Sequence, residues 1–378
     1  YTHRAIFLSA LSDGKSIIKK MLNANDTNAT ISACRAFGVE VDESDDTLTI
    51  ENSIGSTIQG SMINAQNSGT TIRIATAIAA LSGGTTELTG DNSLKKRPMK
   101  PLLDSLEELG ITTESDDGKP PIIIKGKIHG NKVNIKGDIS SQFISALLII
   151  APRLENGLTI EIDGNVVSKP YIDLTITTMK KFGADVKTIE PYKKYSITHQ
   201  IYKPTTFTIP SDFSKLALLL SANILLGDNL KIKINLGELP QGDEEIVDIL
   251  EKLGVNVTLD GETITTKSPD LLDGGKFDLS NTPDLLPALA ILVLKCKNQI
   301  EIHNVKHAIY TETDRIALIC NELKNVGILV SDNDDGLTLT TGDLLRDVAL
   351  DSHVAHSFFL SFSLLSMSFV NFVLTFSS

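Results

Sequence analysis

Six short segments carry residue types that a hydrophobic core alone does not call for. Asn67-Ser68-Gly69-Thr70-Thr71-Ile72-Arg73 sets a glycine among hydroxyls just ahead of an apolar run. Backbone N–H groups there can approach an anion, and the dipole of a following helix adds favourable potential. Leu94-Lys95-Lys96-Arg97-Pro98-Met99 crowds three cations at a helix start, where the dipole disfavours them. A bound anion relieves that conflict, and the Arg97 guanidinium suits phosphate because it donates two parallel hydrogen bonds. Ser140, Ser141 and Gln142 put two hydroxyls and an amide at the head of another apolar run, and Ser168-Lys169-Pro170-Tyr171 enters a fourth. Asp284 lies between Thr282-Pro283 and the apolar LLPALAILVL, a setting that desolvates a carboxylate and favours base chemistry. Glu312 and Arg315 stand three residues apart in ETDR, an acid and a cation on one helix face. Taken singly, each segment also reads as an N-cap, a solvated basic turn or a surface ion pair. Together they fall at equivalent places along the chain, always at a helix start.

Those places are equivalent because the chain repeats. An apolar residue followed by glycine closes a helical pattern at Gly38, Gly110, Gly183, Gly254 and Gly327, at intervals of 72, 73, 71 and 73 residues. Each unit reads as an apolar helix, a strand, an amphipathic helix ending in that glycine, and a strand pair. Being apolar all round, the first helix of each unit is expected at the centre. Five units are whole or nearly so, and a sixth begins near His353. The two prolines of QIYKPTTFTIP mark a hinge, so the expected domains are 1–205, with three units, and 206–378, with two and an incomplete third.

Composition narrows the function. The 378 residues carry a net charge of −12, which argues against broad nucleic-acid binding. Cys34, Cys296 and Cys320 are few and widely spaced, which predicts no disulfide framework and fits a reducing cytoplasm. No signal peptide is read at Tyr1. The 27 residues after Asp351 hold no charged side chain and six of the 13 phenylalanines. Residues 357–376 are long enough to span a bilayer, but serines punctuate the run and no basic residues flank it. A buried helix and strand or an altered reading frame is expected instead. His353 and His356 have no third partner, so no metal site is expected.

In order, NSGTTIR, KKRPM, SSQF, SKPYIDLT, TPDLLP and ETDRI resemble the enolpyruvyl transferase family, most closely its 5-enolpyruvylshikimate-3-phosphate synthase branch, from Tyr1 to about Gly342. The resemblance implies an α/β fold of two similar domains, each with three βαβαββ units around a pseudo-threefold axis (an inside-out α/β barrel). The sixth unit here is truncated or altered. It implies transfer of the carboxyvinyl group of phosphoenolpyruvate to the 5-hydroxyl of 3-phosphoshikimate, with release of phosphate. By the same resemblance Arg4, Ser140, Ser141, Ser168 and Tyr171 bind 3-phosphoshikimate and Gln142 touches both substrates. Gly69, Arg97 and Arg315 hold phosphoenolpyruvate. Asp284 contacts the shikimate and takes the 5-hydroxyl proton, and Glu312 protonates the vinyl carbon. No metal or organic cofactor, nucleic acid or membrane is implied, and a cytoplasmic monomer is expected.

Departures from the family pattern set a counter-expectation. The family's Lys-Ser pair ahead of Thr2-His3-Arg4 is not in the sequence. Thr311 stands where the family has lysine, and Asp351-Ser352-His353 stands where it has Asp-His-Arg. No basic residue follows Arg346. Each charged phosphate contact is worth about 1.5–3 kcal/mol, so four losses predict a weak or inactive copy that still binds 3-phosphoshikimate. The enzymatic alternative is a UDP-N-acetylglucosamine enolpyruvyl transferase, against which SKPY, RPM and ETDR weigh. RNA 3′-phosphate cyclase, with a related repeat, lacks support in any basic face.

Overall fold

The computed structural model describes residues 1–52, 58–227, 230–237, 239–306, 315–333, 335–343, 349–351 and 373–375. The chain forms two compact units, Tyr1–Pro210 and Ser211–Ser378.

The first unit opens with α1 (Thr2–Ala10), β1 (Gly14–Lys19), α2 (Asn25–Ala36), β2 (Glu40–Ser44) and β3 (Thr47–Asn52). The next repeat is β4 (Met62–Asn64), α3 (Gly69–Ala79), β5 (Thr85–Thr89), α4 (Lys100–Glu108), β6 (Thr112–Asp116) and β7 (Lys119–Lys125). The third is β8 (Lys132–Lys136), α5 (Ser141–Ile150), β9 (Leu158–Asp163), α6 (Lys169–Lys181), β10 (Lys187–Glu190) and β11 (Lys194–Ile197), after which β12 (Thr206–Thr208) follows. The sheets share one plan. In β4-β5-β7-β6 and β8-β9-β11-β10 the first pair is parallel and the others antiparallel. In the first repeat the parallel neighbour of β1 is β12, which returns from the end of the unit to give the order β12-β1-β3-β2.

The second unit begins with α7 (Phe213–Leu226), β13 (Lys231–Lys233), α8 (Glu245–Lys252), β14 (Asn256–Asp260) and β15 (Thr263–Lys267). It continues with β16 (Gly275–Asp278), α9 (Leu286–Leu292), β17 (Ile300–His303), α10 (Arg315–Asn325), β18 (Leu329–Asn333) and β19 (Gly336–Thr340). Sheet β16-β17-β19-β18 has the same parallel-then-antiparallel order. Beyond it, β20 (Ala349–Asp351) pairs parallel with β21 (Val373–Thr375). The expectation of an α/β fold built on a repeated βαβαββ unit is met.

Local rules explain the plan. The helix following each sheet turn ends at a glycine in the left-handed region: φ is 89° at Gly38, 95° at Gly110, 82° at Gly183, 89° at Gly254 and 92° at Gly327. Any side chain there would be strained, which is why the interval is so regular. The first helices are buried as expected. Ten of the eleven residues of α3 and nine of the ten of α5 are buried. Each buried Leu or Ile contributes roughly 1.5–3 kcal/mol, so α5 (SQFISALLII) anchors the unit without strong amphipathicity. Around this centre α3 packs on α5, α5 on α6, α6 on α1 and α1 on α3, which closes a ring. The helix starts of that ring carry most of the residues singled out above.

All three cysteines are free and buried. Among the described residues no group of three His, Cys, Asp or Glu could hold a metal, and no helix is long and apolar enough to cross a membrane. Residues 352–372, with His353, His356 and most of the charge-free run, lie outside the described residues.

Candidate active site

In the first unit the two helices with the most complete burial each leave one residue at the surface, and the two meet. Thr70 is the exception in α3 and Gln142 the exception in α5. Gln142 Nε2 donates to Thr70 Oγ1 at 3.1 Å. The Gln142 side-chain oxygen Oε1 accepts from Arg73 Nη1 at 2.6 Å. Ser140 caps α5, its hydroxyl accepting from the Gln142 N–H at 3.3 Å, and Ser141 follows, nearly fully buried. The start of α5 is thus tied side chain to side chain to the start of α3.

Gly69 is the first residue of α3, behind the Ser68 cap, which accepts from the Thr71 N–H at 3.2 Å. Here the glycine is required by approach and not by backbone angle. A methyl on Gly69 would lie 2.6 Å from Arg97 Nη1 and 3.6 Å from Arg73 Nη1. Two guanidinium groups therefore converge on the α3 start. The basic turn separates cleanly: Lys95 and Lys96 are exposed, while Arg97 is 7% exposed. Expecting three cations to crowd a helix N-terminus was too broad. Leu94–Lys96 forms its own 3-10 turn, leaving the lysines in solvent and turning Arg97 inward.

The Ser68 cap is itself held by a chain of hydroxyls. Thr71 Oγ1 donates to Ser68 Oγ at 2.7 Å, Thr30 lies 2.7 Å from Thr71, and His3 Nδ1 lies 2.7 Å from Thr30. Burial first, and then nearby Arg4, pulls the His3 imidazole well below its ordinary value. It therefore stays neutral at physiological pH and adds no charge to the site.

On the other side of α5, Arg4 of α1 is 6% exposed. Its Nε donates to Thr175 Oγ1 at 2.7 Å and its Nη2 reaches the Tyr171 carbonyl at 3.5 Å. Thr175 in turn lies 2.9 Å from Ser145 of α5. Tyr171 and Ser168 begin α6. Ser168 adopts the left-handed conformation, φ 53° and ψ 44°, yet its side chain makes no capping bond. A non-glycine residue in that region costs roughly 1–2 kcal/mol, strain with no return inside the helix. Lys169 stacks over the Tyr192 ring at 5.5 Å, and Tyr192 donates to Asp173 at 2.6 Å.

Neither Arg4 nor Arg73 meets a carboxylate among the described residues, although each is almost wholly buried. Burial pulls Arg4 down to about 10. Arg73 is pulled down to about 9, by burial first and then by the like charge of Arg97. Both remain cationic at neutral pH. A buried charge without a counter-charge is costly, and an anionic ligand is what removes the cost.

Asp284 belongs to the second unit. It sits in the 3-10 turn Pro283–Leu285, half-buried while Thr282, Pro283, Leu285 and Leu286 around it are buried. Thr282 Oγ1 donates to Glu245 Oε2 at 2.8 Å, which pins the turn to α8. Thr311 and Glu312 lie outside the described residues, as does the side chain of Arg315. Sequence reasoning passed over Arg73, Thr70 and Thr175 as site residues. Arg73 had a signal, being the lone charge in a helix expected to be buried. The two threonines stand inside the quoted motifs NSGTTIR and SKPYIDLT, but their type alone did not set them apart.

The geometry bears comparison with known proteins. The family model for EPSP synthase (3-phosphoshikimate 1-carboxyvinyltransferase) matches residues 1–371, well past Gly342 where the recognisable motifs end. A 3-phosphoshikimate 1-carboxyvinyltransferase of Nitrosopumilus maritimus is 52% identical over 375 residues, 99% of this chain and 89% of that protein. One from Methanosphaera stadtmanae is 37% identical over 386 residues, with the same coverage of 99% and 89%. EPSP synthase from Acinetobacter baumannii has a similar structure, with a TM-score of 0.76 at 23% identity, covering 98% of this chain and 87% of that one. The enolpyruvyl transferase NikO from Streptomyces tendae scores 0.75 at 16% identity, covering 100% and 88%. At such identities the structural likeness shows the fold alone, and the sequence matches discriminate within it. This chain belongs to the EPSP synthase (3-phosphoshikimate 1-carboxyvinyltransferase) family.

Proposed function

We propose that this protein transfers the carboxyvinyl group of phosphoenolpyruvate to the 5-hydroxyl of 3-phosphoshikimate, releasing phosphate. The observation that carries this is the pair of buried guanidinium groups, Arg4 and Arg73, with no carboxylate beside them among the described residues and hydroxyl and amide groups between them. Both substrates are multiply anionic and repel each other, so a site that binds them together needs fixed positive charge. The family relatives lend support to the transferase and none to a copy that only binds.

Arg4, Ser140, Ser141, Ser168 and Tyr171 take 3-phosphoshikimate. Ser168 supports this, since its strained backbone presents a hydroxyl that caps nothing. Gly69 and Arg97 hold phosphoenolpyruvate through the α3 N–H groups and the guanidinium, with Arg315 as a further cation. Gln142 stands between the two groups. Addition of the 5-hydroxyl oxygen to the vinyl carbon bearing the phosphate requires loss of the hydroxyl proton and gain of a proton at the methylene. Asp284 receives the first and Glu312 supplies the second. Loss of phosphate then regenerates the double bond as the new methyl group gives up a proton.

Steady-state phosphate release from phosphoenolpyruvate and 3-phosphoshikimate tests the proposal. Turnover with both substrates is expected. Calorimetric binding of 3-phosphoshikimate without turnover, or a thermal shift with UDP-N-acetylglucosamine in its place, would overturn it. Ser168→Gly separates strain from function. Glycine adopts the left-handed conformation freely, so the thermal midpoint holds or rises slightly. KM for 3-phosphoshikimate rises about tenfold or more, the loss expected for one hydrogen bond to a charged group.

A further inference from the structure

We infer that Arg73 is a positioning residue of the phosphoenolpyruvate subsite: it fixes the Gln142 carboxamide so that its N–H, and not its oxygen, faces the anion. The inference rests on the proposed function and adds a residue to it.

Arg73 lies one turn after Gly69, on the same face of α3. Among the described residues its one hydrogen bond runs from Nη1 to Gln142 Oε1 at 2.6 Å, and its buried Nε and Nη2 have no partner there. The guanidinium carbon rests 5.1 Å from the centre of the Phe143 ring, which supports one face and supplies no counter-charge. Arg97 brings a second positive charge to the same place, through its approach to Gly69. A fold seeking stability alone would put an apolar residue at this position in a helix otherwise made of Gly, Thr, Ile and Ala.

The consequence for Gln142 follows from donor chemistry. A guanidinium has five N–H donors and no acceptor. It can face only the oxygen of the carboxamide, which removes the ambiguity an amide usually carries. The nitrogen end is then turned the other way. One of its N–H bonds goes to Thr70 Oγ1 at 3.1 Å, and the second is available to a ligand. Without Arg73 the amide is free to turn over, and its oxygen would repel a phosphate or carboxylate. Arg73 thus acts on phosphoenolpyruvate through Gln142.

The test compares Arg73→Gln, Arg73→Lys, Gln142→Ala and the Arg73→Gln/Gln142→Ala double variant with the unaltered chain, by thermal unfolding and steady-state kinetics. Arg73→Gln is expected to hold or raise the thermal midpoint and to raise KM for phosphoenolpyruvate at least tenfold. KM for 3-phosphoshikimate should change much less, and Arg73→Lys should recover part of the loss. The double variant should be little worse than Gln142→Ala alone, because the two residues act as one device. A lower midpoint with both KM values raised alike would mark Arg73 as merely structural. Fully additive losses would show that it does not act through Gln142. Either result overturns the inference. If the unaltered chain shows no turnover, the proposed function fails instead, and the dissociation constant of phosphoenolpyruvate still tests Arg73.

Discussion

Replacing Gly69 by alanine raises KM for phosphoenolpyruvate by about ten- to a hundredfold and leaves the protein folded. The new methyl would sit 2.6 Å from Arg97 Nη1, closer than side-chain carbons come to any neighbour. The nearest atoms are the far ends of two flexible arginines and not backbone, so the guanidinium moves and the helix stays. Alanine also has a better helix propensity than glycine at this position, by up to about 1 kcal/mol, so the thermal midpoint is unchanged or higher. Arg97 displaced from its place loses a charged hydrogen bond worth about 1.5–3 kcal/mol, which sets the size of the KM change. Kinetics with each substrate varied in turn, beside a melting curve, checks the outcome. An unchanged KM for phosphoenolpyruvate would remove Arg97 and the α3 start from the subsite.

Asp284→Asn lowers kcat by about a hundred- to ten-thousandfold, the range lost when a positioned proton acceptor is removed. The substitution keeps shape and hydrogen-bonding size but cannot take a proton. Its surroundings are built for placement. The turn is closed by the Leu285 N–H to the Thr282 carbonyl at 3.0 Å and pinned by Thr282 to Glu245. Asp284 is half-buried amid buried neighbours, so amide for carboxyl disturbs little packing. KM values should therefore move far less than kcat. A kcat within threefold of the unaltered enzyme would exclude Asp284 as the base.

How much of this was legible in the sequence differs from feature to feature. The glycine at each helix end was legible because a backbone angle is a local property, and all five glycines have it. Burial of α3 and α5 was legible for the same reason, since no polar face offers them a surface position. The hydroxyl chain from His3 to Ser68 was not, because its members come from three helices and pair only after packing. Arg97 and Lys96 are neighbours of the same charge, and only the direction of a 3-10 turn separates a buried guanidinium from a solvated ammonium. In the sequence Arg73 is the last letter of a motif. Its weight comes from what surrounds it: a partner amide, an aromatic face and, among the described residues, no carboxylate. The motifs fade near Gly342 while the family match runs to residue 371.

The return of β12 to β1 has a consequence for how the chain is made. The first repeat is copied early, but its sheet stays open on one side until Thr206–Thr208 arrive, nearly two hundred residues later. During synthesis β1 therefore emerges with unpaired N–H and C=O groups along one edge, the kind of edge that recruits stray strands. The second and third repeats carry their own leading strands and close as they emerge. Nascent folding of the first unit thus starts in its middle and ends at its beginning. The stitch that finishes it pairs residues nearly two hundred positions apart, a long-range closure of the kind that forms late.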